Sequence, residues 1–432
     1  MRRSLRTVFM FLVTVGALWA STSVEAQEWE QVLELPSAYT CNVMPDGSLV
    51  ASDYRGDNTG GIWISHDQGK TWTKTDAPDH CYNNFIVAGD YVFGVGIGAI
   101  ARSADNGKTW TEITFRDIFK GTASDVELDY SVCYGVAYYE GKLFVSDFVF
   151  GTVVYSEDFG ETWTKTDNSA MAYDSGKGKP IYDNIYQMVT FGDNLYAFAM
   201  YCVYKYEHES NSWTVKRTDS NFMAVSTVYD GSLYCGRSLQ NYTFDDPFLE
   251  VTSDGEAWNE VPRPTGLNDN NVRALHSDDS RIYVGLQNGG IYYTADKGEE
   301  WVNVTRNLPH TYLGATDRGI MDLLRIDTDE KYVYITLFNA DFSDTNSGVW
   351  RMAKADMSTG INRIVTEQYK PTVEDDRIVA PEHEGQRVNV YDCGGRLVAS
   401  HIIKGGKADV STLVPGAYIF RLGNYSGKFV KK

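Results

Sequence analysis

Apolar and polar residues alternate in many short stretches along this chain. TWTKTD (71–76) and TWTEITF (109–115) are two examples, and a period of two is typical of half-buried β-strands. Seven other segments begin with a polar turn and continue as an apolar strand, starting at residues 46, 89, 140, 192, 230, 279 and 329. The pattern predicts an all-β chain that is built from repeated units of four short strands.

A second element follows the apolar strands and recurs at intervals of 38 to 53 residues. Its full copies are SHDQGKTW (65–72), SADNGKTW (103–110), SEDFGETW (156–163) and TADKGEEW (294–301), and two degraded copies are YEHESNSW (206–213) and TSDGEAW (252–258). Ser65, His66 and Asp67 taken alone suggest a catalytic group. However, His66 is replaced by Ala, Glu and Ala in the other full copies, so the element is interpreted as a turn.

The element resembles the Asp-box, or BNR repeat, of β-propellers such as sialidases and sortilin-type receptors. Units of four strands and 40 to 50 residues are typical of propeller blades, and the resemblance predicts a seven-bladed β-propeller over residues 27–357. The N-terminal stretch EWEQVLELP (28–36) is expected to supply the outer strand that the last unit lacks. In the Asp-box the short Asp binds backbone N–H groups, Gly adopts a positive φ and Trp packs between blades. These structural positions are Asp67, Gly69, Trp72, Asp105, Gly107, Trp110, Asp158, Gly160, Trp163, Asp296, Gly298 and Trp301.

The two ends of the chain indicate export. Residues 1–26 combine a basic start, a short apolar run and a small-residue cleavage site, which is typical of a signal peptide. Residues 358–432 resemble the type A C-terminal sorting domain of the type IX secretion system of Bacteroidetes, through VNVYDCGGRLV (388–398), DVSTLVPGAYIFRL (409–422) and KFVKK (428–432). The resemblance implies a small β-sandwich, with the secretion machinery and its sortase as partners. The predicted location is the medium or the outer-membrane surface, reached through the periplasm, with no transmembrane segment in the mature chain.

Composition narrows the range of ligands. A net charge of −19 argues against nucleic acid, because phosphate binding requires a basic surface. No CxxC or His-x₃-His pair suggests a metal site, and no cofactor is expected. All six cysteines lie after residue 26 and so belong to the predicted mature chain. Cys41, Cys81 and Cys133 begin innermost strands of adjacent units, so one pair is a candidate disulfide, with free buried thiols as the alternative.

The segments that lead into the innermost strands carry the candidate ligand site, because such loops build one face of a propeller. They share Asn, Asp, Arg and Tyr, which suit sugars through stacking and fixed hydrogen bonds. The predicted binding residues are Tyr82, Asn84, Asp129, Tyr130, Asp183, Asn184, Asn271, Arg273, Asp317 and Arg318. The alternative interpretation is that the Asn and Asp residues only start strands and satisfy turns.

Two functions remain open at this stage. The first is a secreted or surface propeller that binds a glycan or a protein partner. The second is a glycoside hydrolase, sialidase-like or polysaccharide-degrading, although the early Arg-Ile-Pro signature of sialidases is absent and no catalytic residues can be selected. An enzyme of this kind requires two carboxyl groups about 5 to 9.5 Å apart, one of them with a raised pKa. A binding protein should instead present aromatic and amide groups without such a pair.

Overall fold

The structure is a computed structural model, and almost all of its regular structure is β-strand. It describes residues 28–55, 59–122, 132–173, 181–218, 225–237, 247–265, 267, 271–287, 290–313, 316–320, 322–338, 345–357, 372–374, 376–380, 385–392, 396–422 and 425–431. The α-helices in these ranges, Phe115–Ile118 and Lys354–Met357, have four residues each. Within the same ranges no helix has the length and apolar character needed to cross a membrane.

Seven four-stranded antiparallel sheets follow one another between residues 30 and 353. Sheet 1 contains Ala38–Val43, Leu49–Tyr54, Gly60–Ser65 and Thr73–Lys74. Sheet 2 contains Tyr82–Ala88, Tyr91–Gly96, Ala99–Ser103 and Thr111–Thr114. Sheet 3 contains Val136–Tyr139, Lys142–Ser146, Val153–Ser156 and Thr164–Lys165. Sheet 4 contains Ile185–Phe191, Asn194–Ala199, Val203–Glu207 and Ser212–Arg217.

The remaining three sheets continue the series. Sheet 5 contains Val225–Tyr229, Ser232–Gly236, Leu249–Thr252 and Asn259–Val261. Sheet 6 contains Val272–Ser277, Ile282–Leu286, Gly290–Thr294 and Val302–Asn303. Sheet 7 contains Asp322–Thr328, Tyr332–Phe338, Gly348–Ala353 and, as its outer strand, Glu30–Glu34. Two short hairpins, Ala172–Tyr173 with Ile181–Tyr182 and His310–Leu313 with Thr316–Ile320, lie in the connections.

The sheets form a closed ring. The first strands of successive sheets contact each other in chain order, and the first strand of sheet 7 contacts the first strand of sheet 1. Asp327 of sheet 7 strengthens this junction by accepting a hydrogen bond from the Val43 amide at 3.2 Å. Apolar side chains fill the space between neighbouring sheets, as they do where Phe93 of sheet 2 and Leu143 of sheet 3 share one cluster.

Sheet 7 joins the two ends of the ring-forming segment. Glu30 pairs with Arg351 in the strand register, and the Glu30 carboxylate accepts two bonds from the Arg351 guanidinium at 2.9 and 3.1 Å. Trp29, immediately before this strand, is 3% exposed. Its indole N–H donates to the Val304 carbonyl at 2.7 Å, and its backbone N–H donates to Asn307 Oδ1 at 2.7 Å. The N-terminal strand is thus fixed both by its ladder and by a buried anchor.

The alternation of strand direction gives the ring two faces. The "mouth face" is where first strands begin and second strands end. The "Asp-box face" carries the hairpins between first and second strands and the turns between third and fourth strands. In the first of these turns, Asp67 accepts bonds from the Thr71 amide at 2.8 Å and the Thr71 hydroxyl at 2.7 Å, and Ser65 Oγ accepts from the Gly69 amide.

The other full copies of the turn repeat this geometry. The carboxylates of Asp105, Asp158 and Asp296 each accept from the backbone N–H four residues later. The glycine of each copy has a φ between +85° and +102°. The residue before it also lies in the left-handed region, as at Phe159 with a φ of 56°, which sequence reasoning did not anticipate. The tryptophans pack against the preceding sheet, as Trp110 does with Ile64.

The hypothesis of a disulfide among Cys41, Cys81 and Cys133 is wrong. Cys41, Cys81, Cys133, Cys202 and Cys235 are all free. Four of them are buried, and burial raises the pKa of Cys81 and of Cys133 to about 12. They pack as small apolar side chains between sheets, with Cys133 in the cluster that joins sheets 2 and 3. The alternative of free buried thiols is therefore the one observed.

Residues 372–431 form two further sheets. One contains Thr372–Glu374, Arg377–Val379 and Lys407–Asp409. The other contains Leu397–Ile402, Arg387–Asp392, Gly416–Leu422 and Tyr425–Lys431, in that spatial order. Ile378 and Ala408 of the first sheet share one buried cluster with Val388 and Phe420 of the second, so these two sheets have a common core.

Candidate functional site

One position recurs at the mouth face in most of the ring. In sheets 1, 2, 4, 6 and 7 the first strand bulges near its start, so that one residue has no partner in the second strand. A bulge re-aims a side chain, and such irregularities concentrate next to functional sites. Sheet 3 has Tyr134 at the equivalent place, just before its first strand. The resulting "mouth ring" consists of Tyr39, Asn83, Tyr134, Tyr186, Arg273 and Leu324.

Three members of the mouth ring interact across the opening. The hydroxyl groups of Tyr39 and Tyr134 lie close enough to interact. Burial raises the pKa of both phenols, and the Arg273 guanidinium lies close enough to oppose that rise in each case. Sheets 1, 3 and 6 therefore meet through two phenols and a cation, although they are not neighbours in the ring.

Aromatic rings extend from this pair along the mouth face. Phe148 packs edge-on against Tyr134, with ring centroids 5.0 Å apart, and against Tyr186 at 5.1 Å. On the other side, Tyr39 contacts Phe338 of sheet 7 at 6.2 Å. Val149 and Tyr201, which follow the second strands of sheets 3 and 4, are 45% and 51% exposed. We call Tyr134, Phe148, Val149, Tyr186 and Tyr201 the "aromatic patch".

The loop that presents Tyr201 is held by a buried carboxylate. Asp183 accepts hydrogen bonds from the backbone N–H groups of Tyr201 and Cys202 and from the Tyr204 hydroxyl, all at 3.1 to 3.2 Å. Burial raises the pKa of Asp183, while these bonds act to lower it. Asn184 next to it donates to the carbonyl of Phe148. The two residues therefore fix the backbone beneath the aromatic patch.

Some buried polar side-chain atoms near the starts of the first strands have no hydrogen-bond partner among the residues that the structure describes. Asn83 donates to the Cys133 carbonyl at 2.9 Å, but its Oδ1 is buried and has no hydrogen-bond partner within the described ranges. The same is true of Asn84 Oδ1 and, in the first strand of sheet 7, of Arg325 Nε. These atoms are buried beneath the mouth face and are not exposed on it.

The outcomes differ among the residues predicted from sequence. Arg273 and Asn84 lie at the mouth, whereas Asp183 and Asn184 support its loops. Asp129 and Tyr130 lie outside the described residues. Asp317 and Arg318 lie in the strand Thr316–Ile320, which pairs with His310–Leu313, and their side chains are not described.

The prediction is wrong for Tyr82. Its side chain is fully buried between sheets 1 and 2 with Phe85, and its hydroxyl donates to the Pro78 carbonyl at 2.9 Å. Tyr82 precedes the bulge, so it points between the sheets, whereas Asn83 occupies the bulge. Asn271 is also buried, at 4% exposed, and its amide donates to Gln287 Oε1, which favours the alternative of strand-starting residues for this position.

Sequence reasoning missed Tyr134, Phe148 and Tyr186 as site residues. These tyrosines could have been found by aligning the repeats on the starts of their innermost strands, because Tyr39, Tyr134 and Tyr186 then fall at one equivalent position. The bulge that turns this position toward the opening depends on pairing with the second strand, which the repeat pattern does not reveal.

The carboxylate of Asp183, which supports the mouth loops, is engaged by the chain itself. Burial raises its pKa, and its oxygens already bind three groups of the chain. No cluster of three or more His, Cys, Asp or Glu residues suited to a metal ion occurs in the described ranges.

Comparison with known proteins bears on the fold. The model of the BNR/Asp-box repeat family matches residues 63–74, which are the first Asp-box and its flanks. "YCF48 bound to D1 peptide" superposes with a TM-score of 0.51 at 13% identity, covering 75% of this chain and 93% of that one. The Pan2 WD40 domain of Neurospora crassa gives 0.50 at 12%, covering 76% and 96%. This chain folds as a β-propeller.

A third similar structure lies within a larger protein. The extracellular domain of BT4673 from B. thetaiotaomicron superposes on the propeller with a TM-score of 0.51 at 11% identity, covering 75% of this chain and 39% of that one. No curated protein matches the sequence. At these identities the likeness shows the fold alone, so the predicted all-β propeller is confirmed, and function has to be argued from the site.

Proposed function

We propose that this propeller is an exported binding protein that captures a partner on its mouth face. The observation that carries the proposal is the mouth ring, in which equivalent positions at the starts of the innermost strands of sheets 1, 3, 4 and 6 present three tyrosines and an arginine to one opening. Tyr and Arg are the residues that most often dominate binding energy at interfaces. The rings are already packed against each other, so little conformational entropy is lost when a partner binds.

A protein segment is the partner that the site fits best. Phe148 has Tyr134 and Tyr186 packed against it, which leaves less ring surface than a sugar needs for stacking. The exposed Val149 and Tyr201 add apolar surface next to these rings. Support from similarity comes from YCF48, whose solved structure carries a D1 peptide.

A glycan is the second candidate, because the exposed ring of Tyr201 offers a face on which a sugar can stack. A glycoside hydrolase would need a second carboxyl group near Asp183 with its own role as base or nucleophile. The bonds that Asp183 accepts from Tyr201, Cys202 and Tyr204 instead favour a structural role for this carboxylate.

One experiment separates these candidates. The full chain and its Tyr186→Ala variant are applied to a peptide array and a glycan array, and every glycan that is captured is tested for hydrolysis. We expect capture of peptides by the wild type and at least about tenfold weaker capture by Tyr186→Ala. Capture of glycans without turnover would replace the protein partner with a sugar. Turnover of any glycan would overturn the proposal in favour of a hydrolase.

We further infer that the seven sheets of the ring are seven blades over residues 27–357, and that residues 358–432 are a sandwich-type sorting domain for type IX secretion. Support comes from the shared core of the two C-terminal sheets and from the sequence resemblance. In a host with this secretion system, deletion of residues 358–432 should leave the propeller in the periplasm. Recovery of the deleted form in the medium at wild-type levels would contradict this inference.

A further inference from the structure

The fifth Asp-box differs from the others by one missing residue, on the face opposite the mouth. In the full copies one residue separates the Asp from the Gly, and in sheets 3 and 6 the side chain of this residue reaches the hairpin of the preceding sheet. Phe159 of sheet 3 shows this contact, because a methyl group on Gly89 of sheet 2 would come within 2.8 Å of its ring. Lys297 of sheet 6 makes the equivalent contact through an ion pair, because its Nζ lies 2.6 Å from Oδ2 of Asp230 in the hairpin of sheet 5. In sheet 5 the sequence TSDGEAW has no such residue.

The missing residue leaves an open space between sheets 4 and 5. A cavity of about 250 Å³ lies there, and a methyl group on Gly192 would meet no atom within 4 Å. The space exceeds the cavity of about 150 Å³ that is known to bind benzene. We call it the "Asp-box cleft", and its lining residues are Phe191, Gly192, Asn194, Tyr196, Val228, Gly231, Ser253 and Asp254.

The internal repeat shows what kind of group fits the cleft. The Phe159 ring lies 5.0 Å from the Tyr91 ring and 6.3 Å from the Tyr138 ring. The hairpin GDYVF (89–93) aligns with GDNLY (192–196), which places Asn194 at the position of Tyr91. The strand end YYEG (138–141) aligns with VYDG (228–231), which places Val228 at the position of Tyr138. The cleft is therefore the site that a phenyl ring of the chain itself fills between sheets 2 and 3. Val228, at 39% exposed, remains uncovered on its wall.

The rim of the cleft is acidic. Asp193 and Asp254 are exposed beside it, and among the described residues the carboxylate of Asp254 accepts only from backbone and hydroxyl groups of its own turn. The nearby lysines are already engaged, Lys216 by Glu256 and Lys297 by Asp230. A cation next to the incoming ring would thus be attracted to the rim, as in other complementary interfaces.

We propose that the Asp-box cleft binds an aromatic side chain of a partner protein that carries a neighbouring lysine or arginine. The ring takes the place that Phe159 takes between sheets 2 and 3, over Gly192 and against Val228, while the cation lies near Asp193 and Asp254. This surface is separate from the mouth face, so the propeller can hold a second partner segment without competition at the aromatic patch.

The test uses acetyl-Phe-Lys-amide as probe and acetyl-Ala-Lys-amide as its control, with binding to the full chain followed by saturation-transfer NMR. Insertion of a phenylalanine between Asp254 and Gly255 restores a box of normal length and fills the cleft from within. We expect the wild type to bind the Phe probe at least about tenfold more tightly than it binds the Ala probe. The insertion variant should bind the Phe probe at least about tenfold more weakly than the wild type does. Equal binding of the Phe probe by wild type and insertion variant would overturn the proposal, as would no binding to the wild type.

Two substitutions keep the test decisive if the insertion disturbs folding. Val228→Phe fills the cleft from the opposite wall and should weaken the Phe probe to the same extent. Val215→Phe, on an exposed outer strand of sheet 4 and 43% exposed, is the matched control and should leave binding unchanged. Tyr134→Ala, at the mouth, should also leave it unchanged. A loss of binding in either control would place the probe elsewhere on the molecule and overturn the assignment.

Discussion

The phenol hydroxyls of Tyr39 and Tyr134 interact although the two residues belong to sheets 1 and 3, which are not neighbours in the ring. The contact spans the opening of the mouth face, because Tyr39 occupies the bulge of its first strand and Tyr134 occupies the equivalent place just before the first strand of sheet 3. It connects two parts of the chain that are separated by a complete sheet and orders the rings of the aromatic patch before any partner binds. Such pre-ordering limits the entropy that binding would otherwise cost.

Truncation of Tyr134 should therefore remove most of the affinity of the mouth face. We expect Tyr134→Ala to weaken partner capture by about 10- to 100-fold, the range of a central aromatic anchor, and Tyr39→Phe to have a smaller effect because its ring remains. Binding is measured by calorimetry with the captured peptide. Val215→Ala, on the outer strand of sheet 4, is the control, and a comparable loss in that variant would indicate a general effect on folding.

The Asp-box carboxylates should make the stability of the propeller depend on pH in the acid range. Hydrogen bonds from the Thr109 amide and hydroxyl lower the pKa of Asp105 to about 2, below its ordinary value of 3.8. Since the folded pKa is depressed, the contribution is complete above about pH 4 and is lost as the pH falls toward 2. We expect Asp105→Asn to lower the melting temperature at pH 6 and to make its decline between pH 4 and 2 less steep. Parallel declines for wild type and variant would contradict this prediction.

A buried ion triad should stabilise the junction between sheets 4 and 5. Glu250, at 8% exposed, accepts from Arg217 at 3.0 Å and from Arg237 at 2.7 Å. Removal of a carboxylate shared by two buried guanidinium groups leaves their charge uncompensated, so Glu250→Gln should lower the free energy of unfolding by about 3 kcal/mol. Urea denaturation measures this change. Glu161→Gln breaks an exposed pair with Arg102 and should cost less than about 1 kcal/mol; equal costs would contradict the assignment.

Trp29 should determine whether the ring stays closed. Its indole is buried in a cluster with Leu308 and Trp350 and donates to the Val304 carbonyl. We expect Trp29→Ala to cost about 3 to 5 kcal/mol and to expose the Glu30–Glu34 strand to hydrogen exchange before the other strands of sheet 7. Exchange that stays uniform across sheet 7 would show that the outer strand does not depend on this anchor.

The sequence determined the all-β fold, the repeat and the character of its turns, because these depend on local chemistry. An Asp that binds the amide four residues later, and a Gly with a positive φ, work the same way wherever the turn occurs. Copies of SxDxGxxW can therefore be recognised from the sequence alone. The absence of one residue in TSDGEAW was equally visible in the sequence, although its consequence was not.

The tertiary structure alone decided which side chains share a surface. Tyr82 and Asn83 are adjacent in sequence, yet one is buried between sheets and the other faces the mouth, because a bulge shifts the register by one residue and thereby reverses the direction of a side chain. Tyr39 meets Tyr134 only because the ring closes. The Asp-box cleft likewise exists only because sheets 4 and 5 are neighbours whose facing hairpin and turn lack the ring that Phe159 provides elsewhere. These relations join residues far apart in the chain, and local sequence patterns do not encode them.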